Sequence, residues 1–485
     1  MARTNNSIIK GLISVLGGKF GLILTSLVFT PIIVRILGSE LYGEYAFAIS
    51  LVSILTLISN LGFNEGIRKF IAEEPEDHAR AAGIYKFYLK YGLISAAFFA
   101  LMLLIIVEVP QINIIPKKYQ VYIPYIAIIL IVNQLFQVTR YGLMGMKKEN
   151  MSESINVGFR IGASIFGIIL ALYGFDVRGV LVGHMFSALI VGLVGIYSMK
   201  LILGSFKNQA PVSRPNLLSF GISSVILSLL TVSLYHTDVL LLGNSNASGN
   251  LGFYKSALVV AELIWFVPQA IQIVLVHSSS GIWSEENYSR ISNLASTAVR
   301  FTIMFSAIST LGIFVLAEEF ITLYFGPSFE SAVDPLVILL PGVFFFSISR
   351  PIFAIGQGKG ELRFLIIATA LSSILNLVLN LSLIPKYGMK GAAVATTVGY
   401  GSMFLFHTAA AHKIGFNPVS DTRFFRIVAC TLLTYPVINY LNNLISSRLI
   451  SILIVATSGG LVFFFLNFVL KTFTRDEISQ LREGV

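Results

Sequence analysis

Cysteine occurs once in 485 residues, as Cys430, so neither a disulfide nor a cysteine zinc cluster can form within the chain. It lies in the apolar run IVACTLLTYPVI, where a lone thiol behaves as a small buried hydrophobe. Charge is almost as scarce. Asp, Glu, Lys and Arg make up 12% of the residues, about half of the roughly 25% usual in soluble domains. The chain also lacks HExxH, GxxxxGK[ST], GxSxG and DxD motifs, which removes the zincin, P-loop and serine-elbow chemistries. No metal or organic cofactor is expected.

What is present is hydrocarbon. Hydrophobic residues account for 55% of the chain and the mean hydropathy is +0.81, which implies an integral membrane protein. Runs long enough to cross about 30 Å of hydrocarbon are read at 8–34, 42–63, 86–108, 120–143, 154–174 and 178–202. After the polar segment KNQAPVSRPN they resume at 217–243, 252–277, 296–322, 332–355, 362–384 and 389–412, and two more at 424–442 and 448–471 complete fourteen. The first run is too long for the apolar region of a signal peptide and contains Lys19, so it is expected to be retained as a span.

Lys and Arg set the orientation, because cytoplasmic loops carry the excess. With the N-terminus cytoplasmic, seven of the 34 basic residues fall outside (Arg35, Lys117, Lys118, Arg178, Lys386, Lys390, Arg448), three lie within spans and the remaining 24 face the cytoplasm. Both termini are therefore expected inside, in a multi-pass protein of the cell membrane. The net charge of +10 is scattered over short loops, which fits anionic membrane lipids at the inner leaflet and no nucleic acid. The longest loop, NEGIRKFIAEEPEDHARAAGIYK, reads as a short cytoplasmic surface helix.

The two halves echo each other. Arg140–Glu149, RYGLMGMKKE, resembles Arg350–Glu361, RPIFAIGQGKGE, and the turn YGFDVRG of the first half is matched by YGMKG in the second. Each echo joins span n to span n+6, so the copies share one orientation and are expected to be related by an axis along the membrane normal. The fold expected is all-α: two six-helix lobes, 1–203 and 217–413, a cytoplasmic linker 204–216, and two further helices with a tail in 414–485. Two such bundles would create a cavity between them. The glycine turns read as short external hairpins, and Gly391, Ala392, Ala393 and Ala395 as small residues that let helices approach closely.

Against this background the 14-span plan, with FGPSFESAVDPLVILLPG (325–342), GQGKGELRFLIIATALSSILNLVLNLSLIPKYGMKGAAVATT and RILGSELYGEYAFA, resembles the polysaccharide-transporter branch of the MOP superfamily of exporters. The resemblance covers the chain to about residue 415 and rests on loose Gly, Pro and aromatic patterns. It implies a flippase for oligosaccharides linked to a polyprenyl phosphate or diphosphate, and no enzyme. The rivals are a cation-coupled multidrug exporter of the same superfamily and a membrane glycosyltransferase or polymerase. Implied partners are the lipid-linked oligosaccharide, H⁺ or Na⁺ as coupling ion, and glycan-assembly enzymes.

Ionisable groups at membrane depth cost about 2.5–3.5 kcal/mol each on insertion scales, so they mark cavities or partners. Lys19 stands mid-span among Gly17, Gly18 and Gly21; it suits a substrate phosphate or a carboxylate partner. Asn156, Arg160 and Ser164 form one stripe, with Arg160 about 9 Å inside the cytoplasmic end by helix rise, and Asn133, Gln137 and Arg140 form another. Both arginines are phosphate candidates, with snorkelling as the alternative. Ser224, Ser228, Thr231, Tyr235 and Asp238 on span 7, with Lys255, Glu262 and Gln269 on span 8, suggest a hydrated path. Glu262, nearest the midplane, and Asp238 are ion-coupling candidates; Lys255 is a further candidate for substrate, unless it pairs with Asp238. His184 and His236, towards outer ends, read as hydrogen-bonding groups. Labelling of single introduced cysteines tests the orientation. A cysteine near Asn246 is expected to react from outside and one in the Asn64–Lys86 loop from the cytoplasm; the reverse pattern would void the span map.

Overall fold

The computed structural model describes residues 2–109, 115–204, 222–245 and 248–473. Among them no strand occurs, as expected where the hydrocarbon offers no water to satisfy backbone N–H and C=O groups. In chain order the helices are α1 (Ala2–Asn60), α2 (Phe63–Glu73), α3 (His78–Glu108), α4 (Lys117–Gln120), α5 (Ile123–Gly145), α6 (Glu149–Leu170), α7 (Asp176–Leu203) and α8 (Ile222–Gly243). The second half continues with α9 (Leu251–Glu262), α10 (Phe266–Ser284), α11 (Tyr288–Val315), α12 (Ala317–Phe325), α13 (Val333–Gly358), α14 (Leu362–Ile414), α15 (Phe424–Leu444) and α16 (Arg448–Val469).

Among the described residues eleven stretches are long and apolar enough to cross a membrane. Three of them fold back on themselves at a glycine with positive φ: Gly38 (70°), Gly174 (84°) and Gly388 (55°). Each such stretch is two spans, which gives the fourteen read from the sequence. The left-handed φ explains why glycine ends the first arm of each hairpin, since a Cβ is disfavoured there. At Gly174 and Gly388 the arms then touch backbone to backbone. A Cβ on Gly183 would lie 2.3 Å from Gly167 N, and one on Gly391 2.3 Å from Leu383 O; Ala392, Ala393 and Ala395 are wholly buried. Packing is thus the role of the small residues after each turn.

Contacts divide the chain into two units, Met1–Gly252 and Phe253–Val485. In the first, Phe63, Ile67 and Ile71 of α2 bury against Tyr85, Tyr88, Phe136 and Met199 of α3, α5 and α7. The charged face of α2 points away from this core, and Arg80 of α3 donates to Glu73 Oε2 at 2.9 Å. This is the surface helix expected in the longest loop. At the opposite end Tyr122 O–H donates to Glu44 Oε2 at 2.5 Å. The Tyr119 ring stacks on Phe47 at 3.8 Å.

The second unit is centred on α11, α13 and α14, with Ile303, Ile348, Ile352, Ile355 and Leu365 in its core. α15 and α16 are fastened to it at both ends. Arg300 of α11, fully buried, donates to Asp421 Oδ2 at 2.8 Å, and Asp421 also binds Arg423, whose Nη1 reaches Thr472 O. At the other end Asn442 of α15 donates to Glu319 Oε1 at 2.9 Å. Cys430 is buried and free. Gly391→Ala is expected to cost about 1–3 kcal/mol through overpacking, read as a fall in melting temperature in detergent. Gly401→Ala, at a position with nothing within 4 Å, should be neutral or gain up to about 1 kcal/mol of helix propensity.

Candidate functional site

The two polar stripes of spans 4 and 5 converge in the first unit, where α5, α6 and α7 pack together. Arg140 of α5 donates through Nη2 to Glu153 Oε1 of α6 at 2.9 Å, the side chains being only 17% and 7% exposed. Asn156 Nδ2 donates to the other oxygen, Glu153 Oε2, at 3.4 Å. A guanidinium so placed is neutralised and held, and the Tyr141 ring lies 5.4 Å beneath it. The sequence stripe found Arg140 but missed Glu153, because a carboxylate four residues into α6 looked like part of the preceding loop.

Arg160 differs. α6 begins at Glu149, so Arg160 stands eleven residues in, about 16 Å by helix rise. The 9 Å read from the sequence is counted from the start of the apolar run at 154, whereas the helix begins five residues earlier, with the polar residues Glu149, Asn150, Ser152 and Glu153 in its first turns. The side chain is exposed, its guanidinium carbon lies 6.0 Å from the centre of the Phe159 ring, and Tyr45 of α1 and Arg140 are within electrostatic range. Among the described residues Arg160 has no ion-pair partner. It can therefore receive an anion by charge-assisted hydrogen bonds.

Neighbouring groups of α7 close the cluster. His184 Nε2 donates to Asn133 Oδ1 of α5 at 3.1 Å, and its ring meets Phe159 edge-on at 4.9 Å. Ser187 Oγ donates to Phe159 O at 2.7 Å. His236 on α8 hydrogen-bonds Ser50 Oγ of α1 at 3.0 Å, the bonding role expected for it. The Lys19 side chain lies outside the described residues. Its helix, α1, comes close to α6, however: Gly21, two residues on, faces Val157, with 3.4 Å between a Cβ built there and the valine methyl. Spans 1 and 5 are thus neighbours.

In the second unit Glu262 is half-buried and ends α9; a single 3₁₀ turn, Leu263–Trp265, separates it from α10. Such a break in a membrane helix often marks a hinge or a site. Arg350 of α13 reaches across it, donating to Gln272 Oε1 at 3.0 Å with Trp265 and Phe346 rings 4.9 and 4.8 Å from its guanidinium. Arg350 is the repeat counterpart of Arg140, and each is held by its surroundings. Lys255 is half-buried on α9. Asp238 of α8 is fully buried, its Oδ1 accepting Val239 N–H at 2.7 Å. An apolar cavity of about 480 Å³ opens between α11, α13 and α15, lined by Phe314, Pro341, Phe344, Phe424 and Leu432 among others.

Fourteen apolar spans among the described residues, three of the connections being glycine turns, and cations seated on these helices define an all-α integral membrane protein. The profile of the polysaccharide biosynthesis protein family matches residues 8–276, and the chain belongs to that family. It is 24% identical over 405 residues to the "Probable low-salt glycan biosynthesis flippase Agl15" of Haloferax volcanii, covering 82% of this chain and 81% of that protein. It is 21% identical over 502 residues to "Stage V sporulation protein B" of Bacillus subtilis, covering 93% of each. Its fold matches that of a lipid II flippase, MurJ, in an inward closed conformation, with a TM-score of 0.76 at 15% identity over 97% of this chain and 100% of that one.

The Arg140–Glu153 pair generates a prediction. Glu153→Gln leaves a largely buried guanidinium without its counter-charge and should destabilise by about 3–5 kcal/mol. Arg140→Met combined with Glu153→Leu should cost much less. Melting temperatures of the two variants decide it; equal losses would mean that the pair is not coupled.

Proposed function

We propose that the protein is a flippase that moves an oligosaccharide, joined to a polyprenyl phosphate or diphosphate, from the cytoplasmic to the outer leaflet by alternating access. The observation that carries this reading is Arg160: an arginine midway along α6, exposed and without an ion-pair partner among the described residues. A multidrug exporter that takes cations has no use for such a group, whereas a phosphate does. Lys19, on a helix adjoining α6, would supply a second positive charge. Arg140, occupied by Glu153, contributes to the local field more than to direct contact. The apolar cavity beside α15 suits a prenyl chain, whose burial returns about 0.8 kcal/mol per methylene. The relatives named as flippases support the same assignment. The repeat would make 1–203 and 217–413 the two moving lobes, with both termini in the cytoplasm of the cell membrane.

Energy would come from an H⁺ or Na⁺ gradient. Glu262, at the end of α9 beside the 3₁₀ turn, is placed to bind and release a cation as the helix break changes shape, and Asp238 is the second candidate. Reconstituted vesicles test both proposals by the accessibility of a lipid-linked oligosaccharide in the outer leaflet. Arg160→Gln and Lys19→Ala are each expected to slow flipping at least about tenfold, the equivalent of one charge-assisted hydrogen bond. Lys19→Arg should retain most activity. Well-expressed Arg160→Gln that flips at the normal rate would sink the phosphate reading. Glu262→Gln should flip without responding to an imposed gradient; a wild type indifferent to both gradients would remove ion coupling.

A further inference from the structure

We infer that His184 is a positioning residue for Arg160, setting the place of its guanidinium through Phe159. The inference rests on the reading of Arg160 as the phosphate-binding group. Among the described residues Arg160 has no ion pair or side-chain hydrogen bond; Tyr45 of α1 is within electrostatic range, and the ring 6.0 Å from its guanidinium carbon is that of the preceding residue, Phe159. Phe159 is held on three sides. The His184 ring stands edge-on to it at 4.9 Å, Phe136 of α5 lies 4.7 Å away, and Ser187, one turn beyond His184 on α7, bonds its carbonyl at 2.7 Å.

His184 is itself fixed. Its bond to Asn133 Oδ1 at 3.1 Å uses Nε2 and sets the ring plane, so that Asn133, His184 and Phe159 form a chain from α5 through α7 to α6. The chain is rigid because α6 and α7 approach so closely: a Cβ on Gly162 would lie 2.5 Å from Ser187 Oγ. A neutral imidazole suffices for this role. Remote packing of this kind matters because a charge-assisted bond to phosphate demands placement within a few tenths of an ångström.

A double-mutant cycle on the full chain in nanodiscs tests the inference, with polyprenyl diphosphate and uncharged polyprenol as probes. His184→Ala should weaken diphosphate binding about fivefold, within the range of such couplings, and leave polyprenol binding unchanged. His184→Gln, which keeps an N–H for Asn133, should recover most of the loss. In an Arg160→Gln background His184→Ala should change nothing further. Equal weakening with and without Arg160, or equal weakening for both probes, overturns the positioning role. Asn133→Leu carries the same expectation and serves if His184→Ala does not fold. Failure of the underlying reading is distinguishable: Arg160→Gln alone would then bind diphosphate as the wild type does, and the role of His184 falls with it.

Discussion

An ionised side chain within hydrocarbon must be paired, stacked or hydrated, and the arrangement of this protein follows from how each such charge is accommodated. Arg140 is tied to Glu153, Arg300 to Asp421, and Arg350 rests against two adjoining aromatic rings with Gln272 at its tip. These arginines have been made part of the scaffold. Arg160 has no ion-pair partner among the described residues, and that contrast is what the proposed phosphate-binding role rests on. A cation–π contact at 6.0 Å gives about 0.5–1 kcal/mol at most, too little to satisfy an arginine within a span.

Much of the architecture was legible in the sequence because a membrane leaves few options. Apolar length gave the spans, and the glycine turns YGFDVRG and YGMKG gave the hairpins, whose positive φ at Gly174 and Gly388 is the physical reason for the residue. The surface helix was legible from mixed charge around Phe63, Ile67 and Ile71. The start of α6 was not, because hydropathy measures where a helix becomes apolar and not where it begins. Glu153 was lost for the same reason.

The convergence on Phe159 lay beyond sequence reading of any kind. Spacing along α5 and α6 shows that Asn133 and Asn156 share a helix face with an arginine, but not which residue of α7 comes between them. His184 was read only as a hydrogen-bonding group, which it is; that the bond fixes a ring against Phe159 depends on how closely α6 and α7 meet. The break after Glu262 was equally hidden, since AELIWFVPQA has the composition of continuous helix and only Pro268 hints otherwise.

The hairpins at Gly174 and Gly388 also bear on how the chain enters the bilayer. Their arms meet with hardly any side chain between them: Gly183 against Gly167, and Gly391 against the Leu383 carbonyl. Nothing but a tight turn has to cross the headgroups behind them. Each pair of spans is therefore suited to be released sideways from the insertion machinery as one preassembled object. Synthesis would then add α6 with α7, and the two arms of α14, in single steps, and assembly of the remaining helices would begin from these ready-made pairs.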